Sequence, residues 1–448
     1  MSRGTESRRL ALEVLAAVNH GGAYANLALP KALATSHLET RDRAFVTELV
    51  YGSLRRQGEL DAVIQRVAQR PVGEIDEQVL DILRLGAYQL LFLRVAGHAA
   101  VDESVNHAKA HRLSRASGFI NGVLRSITRE PVAHWLEVIA KTATTKHSHP
   151  VWIADEIQKS LAQTGDEAEL ESALEANNEP PLVCLVCLPG LSAAGAGDEP
   201  TRYSPWGITL AGGDPSADPR IASGVARVQD EGSQLAALAL VAAGPIGPET
   251  RFLDMCAGPG GKTAVLAATA LERGGHVTAM EAVPHRARLV EDSVRAVVAR
   301  DASVVTVTAG DSRTIDGEFD RILLDAPCSG LGALRRRPEA RWRKQPESLA
   351  ELTILQAELL DAGLTALAPG GVLAYVTCSP VVVETTAIID NALERHLEII
   401  ALDTASVLEG ATHTPIPRAA RGSAVQLWTH RHGTDAMFIQ LLQRKVSV

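Results

Sequence analysis

Two cysteines are placed for chemistry, Cys328 in Asp325-Ala-Pro-Cys-Ser-Gly330 and Cys378 in Val376-Thr-Cys-Ser-Pro380. They stand fifty residues apart, and each follows an apolar run of strand character, Arg321–Asp325 and Gly371–Thr377. In a doubly wound α/β sheet, reacting groups gather at the carboxyl ends of the strands. Two thiols there can face one substrate, one attacking as thiolate and the other completing the turnover. An isolated strand-end cysteine is more often a small buried hydrophobe. Cys184 and Cys187 fit that plainer description. They share the strand-like run Leu182-Val-Cys-Leu-Val-Cys-Leu188, where residues three apart point to opposite faces and cannot pinch a metal. Cys328 and Cys378 are flanked instead by turn residues.

A second constellation lies upstream, in Phe252-Leu-Asp-Met-Cys-Ala-Gly-Pro-Gly-Gly-Lys-Thr263, which reads as a strand, a glycine-rich loop and a helix. The phosphate-binding loop pattern fails because position 256 is Cys where Gly is required, and the dinucleotide pattern fails because position 263 is Thr. What remains is a small-molecule cofactor lying against the turn, where glycines permit close backbone approach. Glu281 ends the next strand-like run, and a carboxylate there can accept both hydroxyl hydrogens of a ribose. Asp311, in Gly310-Asp-Ser-Arg313, follows the third run and can accept from an adenine amino group. Each acid alone reads equally well as a helix cap. Asp254, Glu281 and Asp311 in register with successive strands favour an adenosine-bearing ligand.

The elements that must hold these residues fall into three stretches. Residues 1–145 carry apolar positions at helical spacing in Leu10–Val18, Phe45–Leu54, Leu60–Val67, Val79–Phe92 and Phe119–Ile127, which predicts an all-α bundle. Residues 146–228 open on a polar stretch, Lys141–Pro150, that reads as a linker, and continue as a small α+β subdomain with short strands. From 229 to 448 strands alternate with helices, so parallel strands with crossover helices are expected, with Ala436–Leu442 as an antiparallel edge. Arg3, Arg8 and Arg9 precede an apolar run, but Glu13 interrupts it and no small-residue cleavage site follows, so an amphipathic helix is the reading. No uncharged apolar stretch is long enough to span a bilayer. Five cysteines in 448 residues point to a reducing cytoplasm, with no disulfide partner.

The quoted motifs carry a resemblance. Asp254–Thr263, Asp325-Ala-Pro-Cys-Ser-Gly-Leu-Gly332, Tyr375-Val-Thr-Cys-Ser379 with Glu384, and Val228–Gln234 resemble the signatures of RNA cytosine-C5 methyltransferases. Asp42–Gly52, Leu83–Gln89 and Phe119–Arg125 are similar to the RsmB (Sun/Fmu) branch, whose leading domain is NusB-like. The resemblance implies a Rossmann-like methyltransferase domain using S-adenosyl-L-methionine, with no metal. It implies that Cys378 attacks C6 of a cytosine, that Cys328 helps remove the C5 proton and release the enzyme, and that Asp325 holds the base's N3/N4 edge. Cys256, Ala257, Gly258, Pro259, Gly260, Gly261 and Lys262, with Glu281, Arg286, Asp311 and Asp325, would hold the cofactor. The family often has Asn after Glu384, where this chain has Thr385, and an Arg-x-Asn strand near Cys184–Leu188, which is missing here.

The partner implied is 16S ribosomal RNA. The net charge of −9 argues against nucleic acid, but the first 150 residues hold 19 Lys and Arg against 15 Asp and Glu, so a local basic surface is open. Arg335, Arg336, Arg337, Arg341, Trp342, Arg343 and Lys344 form a basic run with one aromatic, directly after the Cys328 motif. Cations of this kind bind phosphates and an aromatic can stack a base, so the run is expected to meet RNA. Lys109, Arg112, Arg115, Arg125 and Arg129 form a second candidate patch, equally readable as scattered surface charge. Two alternatives stand: a tRNA or 23S rRNA cytosine methylase, and a NusB-like RNA-binding or antitermination factor without catalysis.

Overall fold

The computed structural model describes residues 3–446, which group into two compact units. The first takes the chain up to Asp155 together with Ala168–Glu179 and Leu334–Arg343, and the second takes the rest.

The first unit is helical, as its periodicity predicts. In the helix Ser117–Arg129 the buried residues are Ile120, Val123, Leu124 and Ile127. That spacing is one apolar stripe. It packs with Leu49, Leu54, Leu60, Ile64 and Leu83, all fully buried, in one core. The helix Glu77–Phe92 starts where the Asp76 carboxylate accepts the amides of Gln78 and Val79, satisfying donors that a helix start leaves bare. Close helix approach demands Gly52, where a Cβ would fall 2.0 Å from the Tyr88 hydroxyl.

Two expectations change here. Lys141–Pro150 is not an open linker: Ala143–Lys146 is helical, and His147, Ser148 and His149 are buried. The basic run is also packed inward. Arg341 is fully buried and donates through Nη1 to the Ser148 carbonyl (2.9 Å) and Asn178 Oδ1 (2.7 Å), and through Nη2 to the Asn177 carbonyl (3.2 Å). Arg343 donates to the carbonyls of Val18, Gly22 and Ala23, where the helix Arg3–Asn19 ends. A helix C-terminus, with its unpaired carbonyls and negative dipole end, is a natural seat for a guanidinium. Arg335 is buried, Trp342 packs against Gly58, and Arg337 and Arg343 lie over the Tyr24 ring. Of the seven residues expected at RNA, only Arg337 is exposed.

The second unit holds two sheets. The smaller contains β1 (Val183–Cys187), β2 (Glu199–Pro200), β3 (Gly207–Leu210) and β4 (Ala226–Val228), all antiparallel, in the order β2-β3-β1-β4. Cys187 is buried with Leu185 and Ile208 on one face of β1, while Val186 joins the larger core on the other.

The larger sheet contains β5 (Arg251–Asp254), β6 (His276–Glu281), β7 (Val305–Ala309), β8 (Phe319–Asp325), β9 (Leu367–Thr377), β10 (Ile399–Ala401), β11 (Ala420–Arg421), β12 (Ala424–Gln426) and β13 (Phe438–Arg444). Its order is β11-β12-β13-β9-β8-β5-β6-β7, with β10 also on β13. Strands β5 to β9 run parallel. Strand β13 is antiparallel to β9, as expected, but it is not an edge, because the short β11–β12 hairpin and β10 cover its other side. From β5 the chain builds outward through β6 and β7, then returns to build β8 and β9 on the opposite side. Such a reversal opens a crevice at the carboxyl ends of the two central strands. Among the described residues no helix is long and apolar enough to cross a membrane.

Candidate active site

The crevice is walled on one side by the loop after β5. Glu281, at the end of β6, is buried, and its Oε2 accepts the Gly258 amide at 3.0 Å while Oε1 accepts the Val283 amide at 3.0 Å. Arg286 closes the arrangement, donating to the Gly258 carbonyl (2.7 Å) and lying 3.3 Å from Glu281 Oε2. Two positions of the loop admit no side chain: a Cβ on Gly258 would meet Glu281 Oε2 at 2.1 Å, and one on Gly260 would meet Ser293 Oγ at 2.0 Å. Gly260 also has φ +101°, which an L side chain resists. Asp254 is buried and accepts the Thr263 hydroxyl at 2.7 Å; burial pushes its carboxyl up to about 7. Burial likewise pushes the Cys256 thiol up, so Cys256 stays protonated and inert.

A strand-end turn backed by a buried, polar-engaged carboxylate fits an adenosine-bearing cofactor. Glu281 and Gly258 line that turn. Asp311 is more exposed. Its carboxylate caps the turn at Arg313 and pairs with the Arg313 guanidinium, whose hydrogen bonds hold it below the usual range. The cap reading of Asp311 therefore holds, and the residue stands just after the third strand of the parallel run.

On the other wall, β8 and β9 are neighbours, with Asp325 opposite Val376. The loops leaving them bring Cys328 Sγ and Cys378 Sγ to 3.5 Å. Both thiols are half-buried between fully buried neighbours, Ser329 on one side and Thr377 and Ser379 on the other. Lys262 reaches across from the cofactor loop, its Nζ 2.6 Å from Asp325 Oδ2. Burial opposes the Lys262 charge, but the Asp325 carboxylate outweighs it and the ammonium is held above its ordinary value.

The two thiols shift each other in opposite directions. The hydrogen bond with Cys328 draws the Cys378 thiol down, against burial and the Asp325 and Asp435 carboxylates, with Lys262 assisting. The same bond, with burial, drives Cys328 well up. Cys378 is thus the more readily ionised thiol of the two.

One residue that sequence reasoning left outside the site joins the two loops. Glu384 is fully buried. Its Oε1 accepts the Ser329 amide (2.7 Å) and the Gln356 amide (3.1 Å), and its Oε2 accepts the hydroxyls of Ser329 (2.5 Å) and Ser379 (2.6 Å). Ser329 follows Cys328 and Ser379 follows Cys378, so one carboxylate fixes the spacing of the thiols. Gln356 ties in the Cys328 loop by donating to the Pro327 carbonyl at 2.8 Å. Thr385 donates to the Val381 carbonyl at 2.9 Å, which closes the turn that carries Glu384. The spelling of Glu384 six residues after Cys378 was a signal; Gln356, within the helix Ser348–Thr365, gave none.

Comparison with known proteins agrees with this architecture. The family described as 16S rRNA methyltransferase RsmB/F matches residues 244–443, and the NusB family matches residues 5–129. A Mycobacterium tuberculosis chain, Rv1407, is 46% identical over 98% of this chain and 96% of its own. The ribosomal RNA small subunit methyltransferase B of Pseudomonas syringae pv. tomato is 35% identical over 96% of this chain and 95% of its own. The crystal structure of PH0851 superposes with a TM-score of 0.78 at 22% identity, over 99% of both chains. The chain belongs to the RsmB/F family of S-adenosylmethionine-dependent rRNA methyltransferases, and pairs a NusB-like helical domain with a Rossmann-like methyltransferase domain.

Proposed function

We propose that this protein methylates C5 of a single cytosine in 16S ribosomal RNA through a covalent adduct between Cys378 and C6. The observation that carries the reading is the thiol pair: two sulfurs 3.5 Å apart at the ends of adjacent strands, with the Cys378 thiol drawn down by its partner. Cys378, as thiolate, attacks C6 and breaks the 5,6 double bond, and C5 gains the nucleophilic character of an enamine. S-adenosylmethionine, held by the Gly258 loop, Glu281 and Arg286, supplies an electrophilic methyl group. Asp325, steadied by Lys262, holds the N3/N4 edge of the base and eases the charge that builds there during attack. Once Cys378 is bonded to carbon, Cys328 gives its own proton to solvent and, as thiolate, helps remove the C5 proton. The C6–sulfur bond then breaks and the double bond reforms. The target base must be unpaired or flipped out, since C6 is shielded within a stacked helix. The work takes place in the cytoplasm, where thiols stay reduced.

The test is methyl transfer from labelled cofactor to protein-free 16S RNA. Cys378→Ser gives no product, and Cys328→Ser accumulates a covalent RNA adduct stable to denaturing electrophoresis. Full activity in Cys378→Ser sinks the assignment of the nucleophile. Labelling of tRNA or 23S RNA in place of 16S RNA sinks the substrate.

A further inference from the structure

Away from the loop after β5, a shallow cleft opens beside the β11–β12 hairpin, lined by Ser160, Thr164, Arg418, Arg421, Trp428 and Arg431, all within the second unit. Arg421 is its floor. It is buried, and it donates through Nε to Gln163 Oε1 (2.8 Å) and through Nη1 to Ser160 Oγ (3.0 Å) and Gln426 Oε1 (3.3 Å). Every one of these acceptors is neutral, and no carboxylate stands among the partners of Arg421 in the described residues. Burial alone draws its pKa down to about 10, which leaves it charged at neutral pH. A buried guanidinium without a counter-anion is costly for a protein to keep. Above it, Arg418 and Arg431 both reach Asp166, with Arg431 Nη2 2.6 Å from Asp166 Oδ2. Arg418 is the exposed member of the three.

The register places this cleft on the rim that holds the thiols. Gln426 pairs with Phe438, and Phe438 pairs with Thr377, the residue before Cys378. Two interstrand steps are roughly 10 Å. An RNA strand whose target base enters at Cys378 passes over this rim with a neighbouring phosphate in reach. Guanidinium forks match the non-bridging oxygens of a phosphate in pairs.

We infer that the Arg418–Arg421–Arg431 cleft is a phosphodiester subsite for the RNA strand flanking the target base. The inference rests on the RNA reading above. Arg418 and Arg431 grip the phosphate, Arg421 supplies an uncompensated positive field beneath, and Asp166 holds the two outer arginines apart from solvent ions until RNA arrives.

The experiment measures KM for 16S RNA at several salt concentrations, with cofactor Kd as the control for folding. Arg418→Ala raises the RNA KM roughly tenfold, the size of one lost charged hydrogen bond, and lowers the salt slope by about 1. Asp166→Asn, which removes a competing negative charge, lowers the RNA KM. Inorganic phosphate competes with RNA for the wild type and loses that competition in Arg418→Ala. RNA KM and salt slope unmoved in both variants, with cofactor Kd intact, overturn the cleft, as does phosphate that binds the wild type without competing with RNA. A wild type that methylates no ribosomal RNA strikes the function proposed above instead.

Discussion

The chain carries two cysteine pairs that look alike on paper and differ in every physical respect. Cys184 and Cys187 are neighbours on one strand, and β1 turns them to opposite faces. Cys328 and Cys378 are fifty residues apart, yet two parallel strands side by side carry them to 3.5 Å. Closeness in sequence separated the first pair, and distance in sequence joined the second. Strand register, not spelling, decides which thiols can share a proton. The surroundings differ to match. Cys187 is buried with Leu185 and Ile208, and burial pushes its thiol up. Cys378 has a thiol donor and an ammonium in reach, which draw it down.

The largest expected effect comes from removing the sulfur that carries charge. Cys378→Ser lowers the methylation rate by at least about 10⁴-fold, as loss of a covalent nucleophile does. Cofactor affinity, measured by calorimetry, stays at the wild-type value because the Gly258 loop and Glu281 are untouched. If Cys187→Ser produced a comparable loss, the contrast between the pairs would be broken.

Next in size is Glu384→Gln. Glu384 receives four hydrogen bonds from the two cysteine loops and Gln356. The amide nitrogen of Gln turns a donor toward a site filled with donors, so the loops must shift. Displacement of the thiols by a fraction of an ångström to 1 Å costs up to about 10²-fold in rate. Because the residue positions and does not touch the base, kcat falls while KM for RNA holds. Unchanged kcat would mean that the strands alone set the thiol spacing.

The alternation of strands and helices was plain in the sequence, and so was the crevice, because apolar runs ending in Asp254, Glu281 and Asp325 are spaced as crossover units are. What escaped were the positions where chemistry is degenerate. The spacing of Arg341 and Arg343 suits phosphate ligands, but a guanidinium donates to backbone carbonyls as readily as to phosphate oxygens, and the carbonyls of Val18, Ser148 and Asn177 accept from them. Polarity likewise made Lys141–Pro150 look open. Its buried His147 and Ser148 carbonyls are paid for by Asn178 and Arg341, which lie far away in sequence. The middle position of β13 depends on β11 and β12, two and three residues long and too short to leave a periodic pattern.

A smaller, pH-dependent effect tests the sharing of the proton. With its pKa drawn down, Cys378 is thiolate below the ordinary thiol value of about 8.5, so single-turnover rate rises with pH and levels off below that point. Cys328→Ala removes the hydrogen-bond donor that is the main cause of the shift. The rise in adduct formation then moves to higher pH. Alkylation by iodoacetamide at neutral pH, mapped by mass spectrometry, modifies Cys378 ahead of Cys328 in the wild type and slows several-fold at Cys378 in the variant. Equal alkylation of both thiols would mean that the proton is not held on Cys328.

The smallest effect belongs to the packing pair. Cys187→Ala removes one sulfur from a small cluster against Leu185 and Ile208. The lost contact and the cavity left behind cost about 1 kcal/mol, read as a lower urea midpoint at unchanged slope. Methylation and adduct formation stay at wild-type rates, because β1 lies in a different sheet from the thiol-bearing strands. The outcome is informative in its smallness. At Cys187 burial outweighs the Ser192 hydrogen bond and the Arg220 charge, so the thiol is pushed up and its replacement is felt only as missing volume.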